Sequence, residues 1–337
     1  MKRLTLILTI LVAAASCALS AADAPKRHGW DYKYKTPLYG NVESLTITEY
    51  SLKDSLGVLS RSEIKEKFCY NFNQSGDVTE RAKYGSDGSL KKRYTYKYDT
   101  KGNNTEEAEY TSDGSLSRKT IYKYDSKGNV TEEALYGSAG SLWNKSTAYD
   151  TKGNKTEEVL YNSDGSLRYK RIYKYDANGN KTEEVLYNSD GSLYKKWIYK
   201  YDAKGNNTEE AEYTSAGSLS WKEIYKYDSK GNKTEEAKYT SAGSLDYKCI
   251  CKYDTQGNKT EYAMYESDGL WFKYIYKYDT KGNKTEEAMY DYDLDGSLSC
   301  KEIYKYDSKG NETEKTEYYG DMQKPKSQTV YTIIYRK

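Results

Sequence analysis

The sequence predicts an all-β protein, a repeat array of about ten antiparallel β-hairpins that forms an extended, coiled Tyr-rich sheet or open shell. Three observations predict it. First, a Gly followed by Asn recurs at Gly102, Gly128, Gly153, Gly179, Gly205, Gly231, Gly257, Gly282 and Gly310, with 26 residues as the prevailing spacing. Gly76-Asp77 is a weaker earlier copy. A fixed period of this length marks a repeat architecture. Second, each unit holds two turn signals, as in Asp228-Ser229-Lys230-Gly231 and Thr240-Ser241-Ala242-Gly243. Third, the segments between turns are rich in Tyr, Ile and Thr and alternate in character, which reads as strand.

Composition agrees. The 337 residues include 41 Tyr, nearly as many as Leu, Ile, Val and Phe combined, so an ordinary aliphatic core is excluded. Mean hydropathy is −1.02, but 53 basic residues balance 51 acidic ones. Tyr is a strand former. A disordered chain and a polytopic membrane protein are both disfavoured.

Residues 1–22 have the layout of an export signal. Lys2 and Arg3 precede a mostly apolar run too short to span a bilayer. Two exits are open: cleavage after Ser20-Ala21-Ala22, or lipidation of Cys17 in the lipobox-like Ala14-Ala15-Ser16-Cys17. Loss of the signal brings the net charge to zero, without the basic excess of a nucleic-acid binder. Residues 23–38 read as a linker and 39–75 as N-terminal cap strands. Residues 76–320 are the hairpin repeats and 321–337 a closing strand.

Within a repeat, Ala139, Ala216 and Ala242 occupy turn positions that a type I′ turn would place at positive φ. Both connections therefore read as three-residue loops closed by a Gly bulge. Counting back from the loops places Trp221 opposite Tyr239, Glu223 opposite Ala237, Tyr225 opposite Glu235 and Tyr227 opposite Lys233. At the next turn Tyr239 faces Leu245. One face then carries Leu219, Trp221, Tyr225, Tyr227, Ala237 and Tyr239 with Glu223, Lys233 and Glu235. The other carries Lys222, Ile224 and Lys226 against Lys238, Glu236 and Thr234. The pairing slips two residues per repeat, so the sheet should coil. Cross-strand Tyr contacts and Lys–Glu pairs must supply the cohesion. A parallel solenoid is disfavoured by the bulk of Tyr, and a propeller by the lack of alternation between odd and even units.

The motif Tyr-Asp-x-x-Gly-Asn-x-Thr, as in Tyr175-Asp176…Gly179-Asn180-Lys181-Thr182 and Tyr201-Asp202…Gly205-Asn206, resembles the YD repeat of bacterial Rhs-type proteins over about residues 70–312. The resemblance implies hairpins that build a spiralling β-shell around a toxin. This chain departs from that family in having Asn where Arg usually follows the Gly, and it is far shorter. The shell-like sheet carries over as an expectation and the toxin role does not. A lesser likeness is to MORN-type repeats.

Candidate sites are few. Asp291, Asp293, Asp295 and Glu302 fit the spacing of a calcium loop, with Gly296 for the sharp turn. The same segment also reads as the ordinary repeat turn lengthened by two residues. No other cofactor is expected. The Glu-Glu pairs, such as Glu235-Glu236, point to opposite strand faces and cannot converge as catalytic carboxylates. Asn-x-Thr triplets follow from turn chemistry rather than glycosylation. Cys249 and Cys251 are two apart on one strand face, a poor disulfide geometry, so no disulfide framework is read. The aromatics lead: Trp143, Trp197, Trp221 and Trp271, with Tyr225 and Tyr227, offer flat amphipathic surface for sugar rings or partner proteins. Trp197 takes the repeat position of Glu223 and so shares the face of Trp221.

The functional expectation is a non-catalytic secreted or surface repeat protein of the bacterial envelope. It would bind glycan or envelope protein through repeated aromatic faces, without nucleic acid, and meet a membrane only through a lipid anchor. The alternative is a structural shell or spacer.

Overall fold

The structure is a computed structural model that describes residues 38–55, 58–292, 296–320 and 324–336. The proposed signal with Cys17, and Asp293 and Asp295, lie outside the described residues. Twenty-two strands form one antiparallel sheet, with no helix among the described residues. Each strand pairs with its chain neighbours from β1 (Val42–Ser55) and β2 (Val58–Phe72) through β3 (Val78–Tyr84) to β21 (Glu312–Tyr319) and β22 (Ser327–Tyr335). The ring then closes. β22 pairs with β1 in a ladder that includes Leu45 opposite Ile333 and Ile47 opposite Tyr331. The expected open sheet is therefore a closed 22-stranded barrel. The two ends read as separate caps are one seam. Strands at about 4.8 Å spacing and about 40° tilt make such a ring about 40 Å across between backbones.

The seam holds a conventional core. Leu45, Ile47 and Tyr70 are fully buried, packed with Val42, Phe68, Phe72, Val78 and Tyr331. It is also pinned by polar contacts. Asn311 is fully buried and its amide donates to the Tyr39 carbonyl at 3.1 Å. The Tyr335 hydroxyl donates to Asp307 at 2.7 Å. The Arg336 N–H donates to the Asn41 carbonyl at 2.9 Å.

The repeat motif follows from the turn. In the hairpin of β14 (Leu219–Tyr227) and β15 (Lys233–Thr240), Asp228 Oδ1 accepts from the backbone N–H of Lys230 and of Asn232, both at 2.9 Å. Asp228 Oδ2 accepts from the Asn232 amide at 2.8 Å. Gly231 N–H donates to the Asp228 carbonyl at 3.1 Å and Gly231 sits at φ +88°, where a side chain is strained. This is the three-residue loop with a Gly bulge that the sequence predicts.

A second bulge follows the turn in each hairpin from β2–β3 to β20–β21. Tyr227 faces Lys233, but Lys226 then faces Glu235, so Thr234 is surplus in the ladder. Beyond the surplus residue the pairing is Tyr225 with Glu236, Glu223 with Lys238 and Trp221 with Thr240. The expected partners Glu235, Ala237 and Tyr239 are each one residue off, because one extra residue flips the rest of the strand. Tyr227 with Lys233 and Tyr239 with Leu245 lie between turn and bulge and are as expected. The slip of two residues per repeat also holds. Trp197 pairs with Glu212, which pairs with Trp221, two short of the 26-residue repeat.

The corrected faces are distinct. Lys222, Ile224 and Lys226 share one face with Glu235, Ala237 and Tyr239; Trp221, Glu223 and Tyr225 share the other with Glu236 and Lys238. Side chains converge on the concave side of a curved sheet. On the second face the hydroxyl of Tyr247, in β16 (Leu245–Tyr253), reaches over β15 to Glu223 at 3.1 Å. That face also runs into the seam core through Tyr70, Arg81 and Tyr94. It lines the barrel. The first face points outward, and Lys226 there is 64% exposed while paired with Glu235 at 2.9 Å.

One Tyr per repeat ties its unit to the one before. The Tyr227 hydroxyl donates to the Asn207 carbonyl at 2.7 Å, and Tyr201 and Tyr175 reach the carbonyls of Lys181 and Lys155. Replacing Tyr175, Tyr201 and Tyr227 together by Phe leaves three carbonyls short of a donor. The loss is about 1 kcal/mol each, read as a fall in denaturant midpoint at constant slope.

Acid should undo the turns. The Asn232 side-chain amide, then its backbone N–H, hold Asp228 below 3.8, and Asp202 and Asp254 are lowered in the same way by Asn206 and Asn258. Carboxylates depressed in the folded state stabilise it above their unfolded value and lose that contribution as pH falls through the folded one. Melting temperature should hold from neutrality to about pH 4.5 and fall below pH 4; a flat profile to pH 2 would refute this.

Candidate binding surface

The inner wall carries Trp143, Trp197, Trp221 and Tyr225 of the predicted aromatics, but not as a bare row. Across the barrel run Tyr173, Glu184, Trp197, Glu212 and Trp221, each directly opposite the next on adjacent strands. Trp197 and Trp221 thus share a face as expected, with the buried Glu212 between them. Cations fill the gaps. Arg171 and Lys181 bind Glu184 at 3.0 and 2.7 Å, and Lys195 binds Glu212 at 2.7 Å. The Lys238 ammonium stands 4.6 Å from the Trp221 ring centre.

The bulge makes this arrangement possible. It places Lys233 on the same face as Glu236, three residues on, and the two form an ion pair. In an unbroken strand they would point apart. Lys233 also sits 5.0 Å from the ring centre of Tyr225, whose hydroxyl donates to Glu223 at 2.6 Å. Burial, then the Glu223 bond, push that hydroxyl well above its ordinary value. The Tyr227 hydroxyl is the inter-repeat tie. Both tyrosines proposed for ligand contact therefore have structural work for their polar ends.

Trp143 lines a cavity of about 210 Å³ with Leu135, Thr120, Arg118, Glu107 and Glu109. Arg118 pairs with Glu109 at 2.7 Å, and Lys92 holds the other oxygen of Glu109 at 2.6 Å. Burial pushes Glu107 up from 4.5. The sequence did not mark these companions of Trp143, because they come from separate repeats and meet only through the two-residue slip. Trp271 does not join them. It is the surplus residue of the bulge opposite Tyr265 and Met264, 36% exposed, edge-on to Phe272 at 5.0 Å.

Of the calcium-loop residues, the two described ones, Asp291 and Glu302, lie apart. Asp291 pairs with Ser297 near the rim, whereas Glu302 lies opposite Glu287, five residues further along the strand and so about 16 Å away. Glu302 is engaged by the Tyr304 hydroxyl and by Lys315 at 3.3 Å. Among the described residues, no group of three or more His, Cys, Asp or Glu side chains is placed to hold a metal ion. The cysteines Cys69, Cys249, Cys251 and Cys300 are free thiols, as read.

Glu210 directly faces Glu223. Burial, then the Glu223 charge, raise it above 4.5. A carboxyl raised in the folded state costs stability when ionised, and that cost vanishes once both states are protonated. Glu210→Gln should raise the melting temperature at pH 7 and leave it unchanged near pH 4. An equal effect at both pH values would contradict the assignment.

No family model and no curated protein matches the sequence. Among solved structures, the chain is similar to the Tc holotoxin pore of Photorhabdus luminescens, at 13% identity over 80% of this chain and 17% of that one, TM-score 0.33. It is similar to a porin-like protein from Bacteroides uniformis at 12% identity, over 88% of this chain and 100% of that one, TM-score 0.30. A third is the N-terminal domain of the effector protein SpvB from Salmonella typhimurium, 10% identical over 81% and 98%, TM-score 0.20. The chain spans 17% to 20% of the length of the toxin chains it matches. Likenesses this distant assign neither family nor function.

Proposed function

We propose that this is a non-catalytic protein of the bacterial envelope whose barrel binds glycan against its inner wall. Closure between β1 and β22 carries the reading, because it encloses Trp143, Trp197 and Trp221. An indole face flanked by carboxylates and cations suits a sugar ring: the ring's C–H face meets the indole and its hydroxyls meet Glu107, Arg118 or Glu212. The cavity at Trp143, about 210 Å³, has room for about one such ring. Several weak contacts along one chain of sugars would add by avidity.

The outward face favours water over lipid. Lys226, Lys200 and Lys174 are each more than 60% exposed and paired with Glu235, Glu209 and Glu183. A lipid-facing strand would carry an apolar band there.

A shell or spacer role is the second reading. It is favoured by the mutual satisfaction of inner polar groups, such as Tyr225 with Glu223 and Lys195 with Glu212. A glycan array decides between them. Binding that falls at least tenfold in Trp143→Ala or in Trp197→Ala/Trp221→Ala supports the first reading. A blank array with folded protein leaves the shell.

A further inference from the structure

One stretch of the inner wall breaks the repeat's own chemistry. At the position of Tyr225 most repeats keep Tyr, and at the position of Glu236 most keep Glu. In β16 and β17 (Lys259–Glu266) those positions hold Cys251 and Tyr262. The position of Glu223 holds Cys249, and that of Lys238 holds Met264. The charged lattice found elsewhere is replaced here by sulfur and a phenol.

The register gathers these groups. Cys249 lies directly opposite Met264, and Cys251 directly opposite Tyr262. Directly opposed side chains have Cβ atoms about 5 Å apart. Cys249 and Cys251 are buried, 4% and 8% exposed, and both face inward. Cys249 Sγ is 3.0 Å from the Tyr262 hydroxyl, which holds the thiol in place. Two residues apart on one strand face, the cysteine Cα atoms are about 6.6 Å apart, at the outer edge of what a disulfide tolerates. Two metal–sulfur bonds of about 2.3 Å each span about 4.6 Å, which side-chain rotation at this separation can meet.

We propose that Cys249, Cys251 and Met264 form a soft-metal site on the inner wall that takes copper(I). Glu236 also stands directly opposite Cys249, but its carboxylate is engaged by Lys233 and the Tyr247 hydroxyl. Two thiols and a thioether, without imidazole, are the donor set that selects Cu(I) over hard or borderline ions. Binding forms two thiolate–copper bonds and one thioether–copper bond and releases the two thiol protons to solvent, with no change of oxidation state. The site is independent of the glycan reading, since it uses none of the Trp residues.

The test is an anaerobic titration of the full chain with Cu(I) against the chromophoric chelator bicinchoninate, with X-ray absorption at the copper edge. One equivalent should be withdrawn from the chelator, in an all-sulfur shell. Cys249→Ser/Cys251→Ser should abolish the competition, Met264→Leu should weaken it about tenfold, and Cys69→Ser should leave it unchanged. Failure of the wild-type protein to compete overturns the proposal. So does a nitrogen or oxygen shell, or undiminished binding in the double Ser variant, each of which would leave the cysteines as small apolar filler. If the double variant does not fold, the wild-type absorption spectrum and Met264→Leu still decide.

Discussion

The surplus residue after the turns from β2–β3 to β20–β21 governs the rest of the molecule. Were Thr234 paired in the ladder, Glu236 would point outward and Glu235 inward, and the wall would lose its inner carboxylate. With it, Lys233 and Glu236 stand together under the ring of Tyr225. Bulges also increase the local twist and bend the strand that carries them. Repeated after turns along the chain, they supply the curl that brings β22 back to β1. Closure in turn removes the two unpaired edges that an open sheet of this length would present to other chains.

Cohesion is spread thin and evenly. Away from the seam there is little aliphatic packing. The outer ladder shares acids between cations, as Glu235 does with Lys226 and Lys248. Exposed pairs of this kind contribute little one at a time. The tyrosine ties and the Asp–Asn turns act between or within neighbouring units, so each repeat depends on its neighbours and on little else. The seam is different. Its buried Leu45, Ile47 and Tyr70 form a compact apolar cluster, and it joins the parts of the chain furthest apart in sequence.

Local chemistry was legible in the sequence. Ala139, Ala216 and Ala242 announced three-residue loops, because Ala resists the positive φ that a type I′ turn needs there. The two-residue slip followed from loop length. The surplus residue was not legible, since Thr234 and Asp246 carry no composition that distinguishes a bulged residue from a paired one. That single omission put Ala237 and Tyr239 on the face of Trp221 and Tyr225. The closed ring was equally hidden. Residues 39–75 and 321–337 each read as strand, but nothing local says that they pair across nearly the whole chain. The cavity at Trp143 depends on the same long-range register.

The fixed slip has a consequence for the bore. Each hairpin adds two strands and two residues of stagger, so the ratio of stagger to strand number, which sets strand tilt, does not depend on how many hairpins there are. A chain with one repeat more or fewer could keep the same tilt, the same wall and the same seam and differ only in girth, by roughly a tenth. The molecule is therefore a gauge whose calibre is written in copy number. Unequal exchange between near-identical repeats would resize the ring without refitting any contact within it.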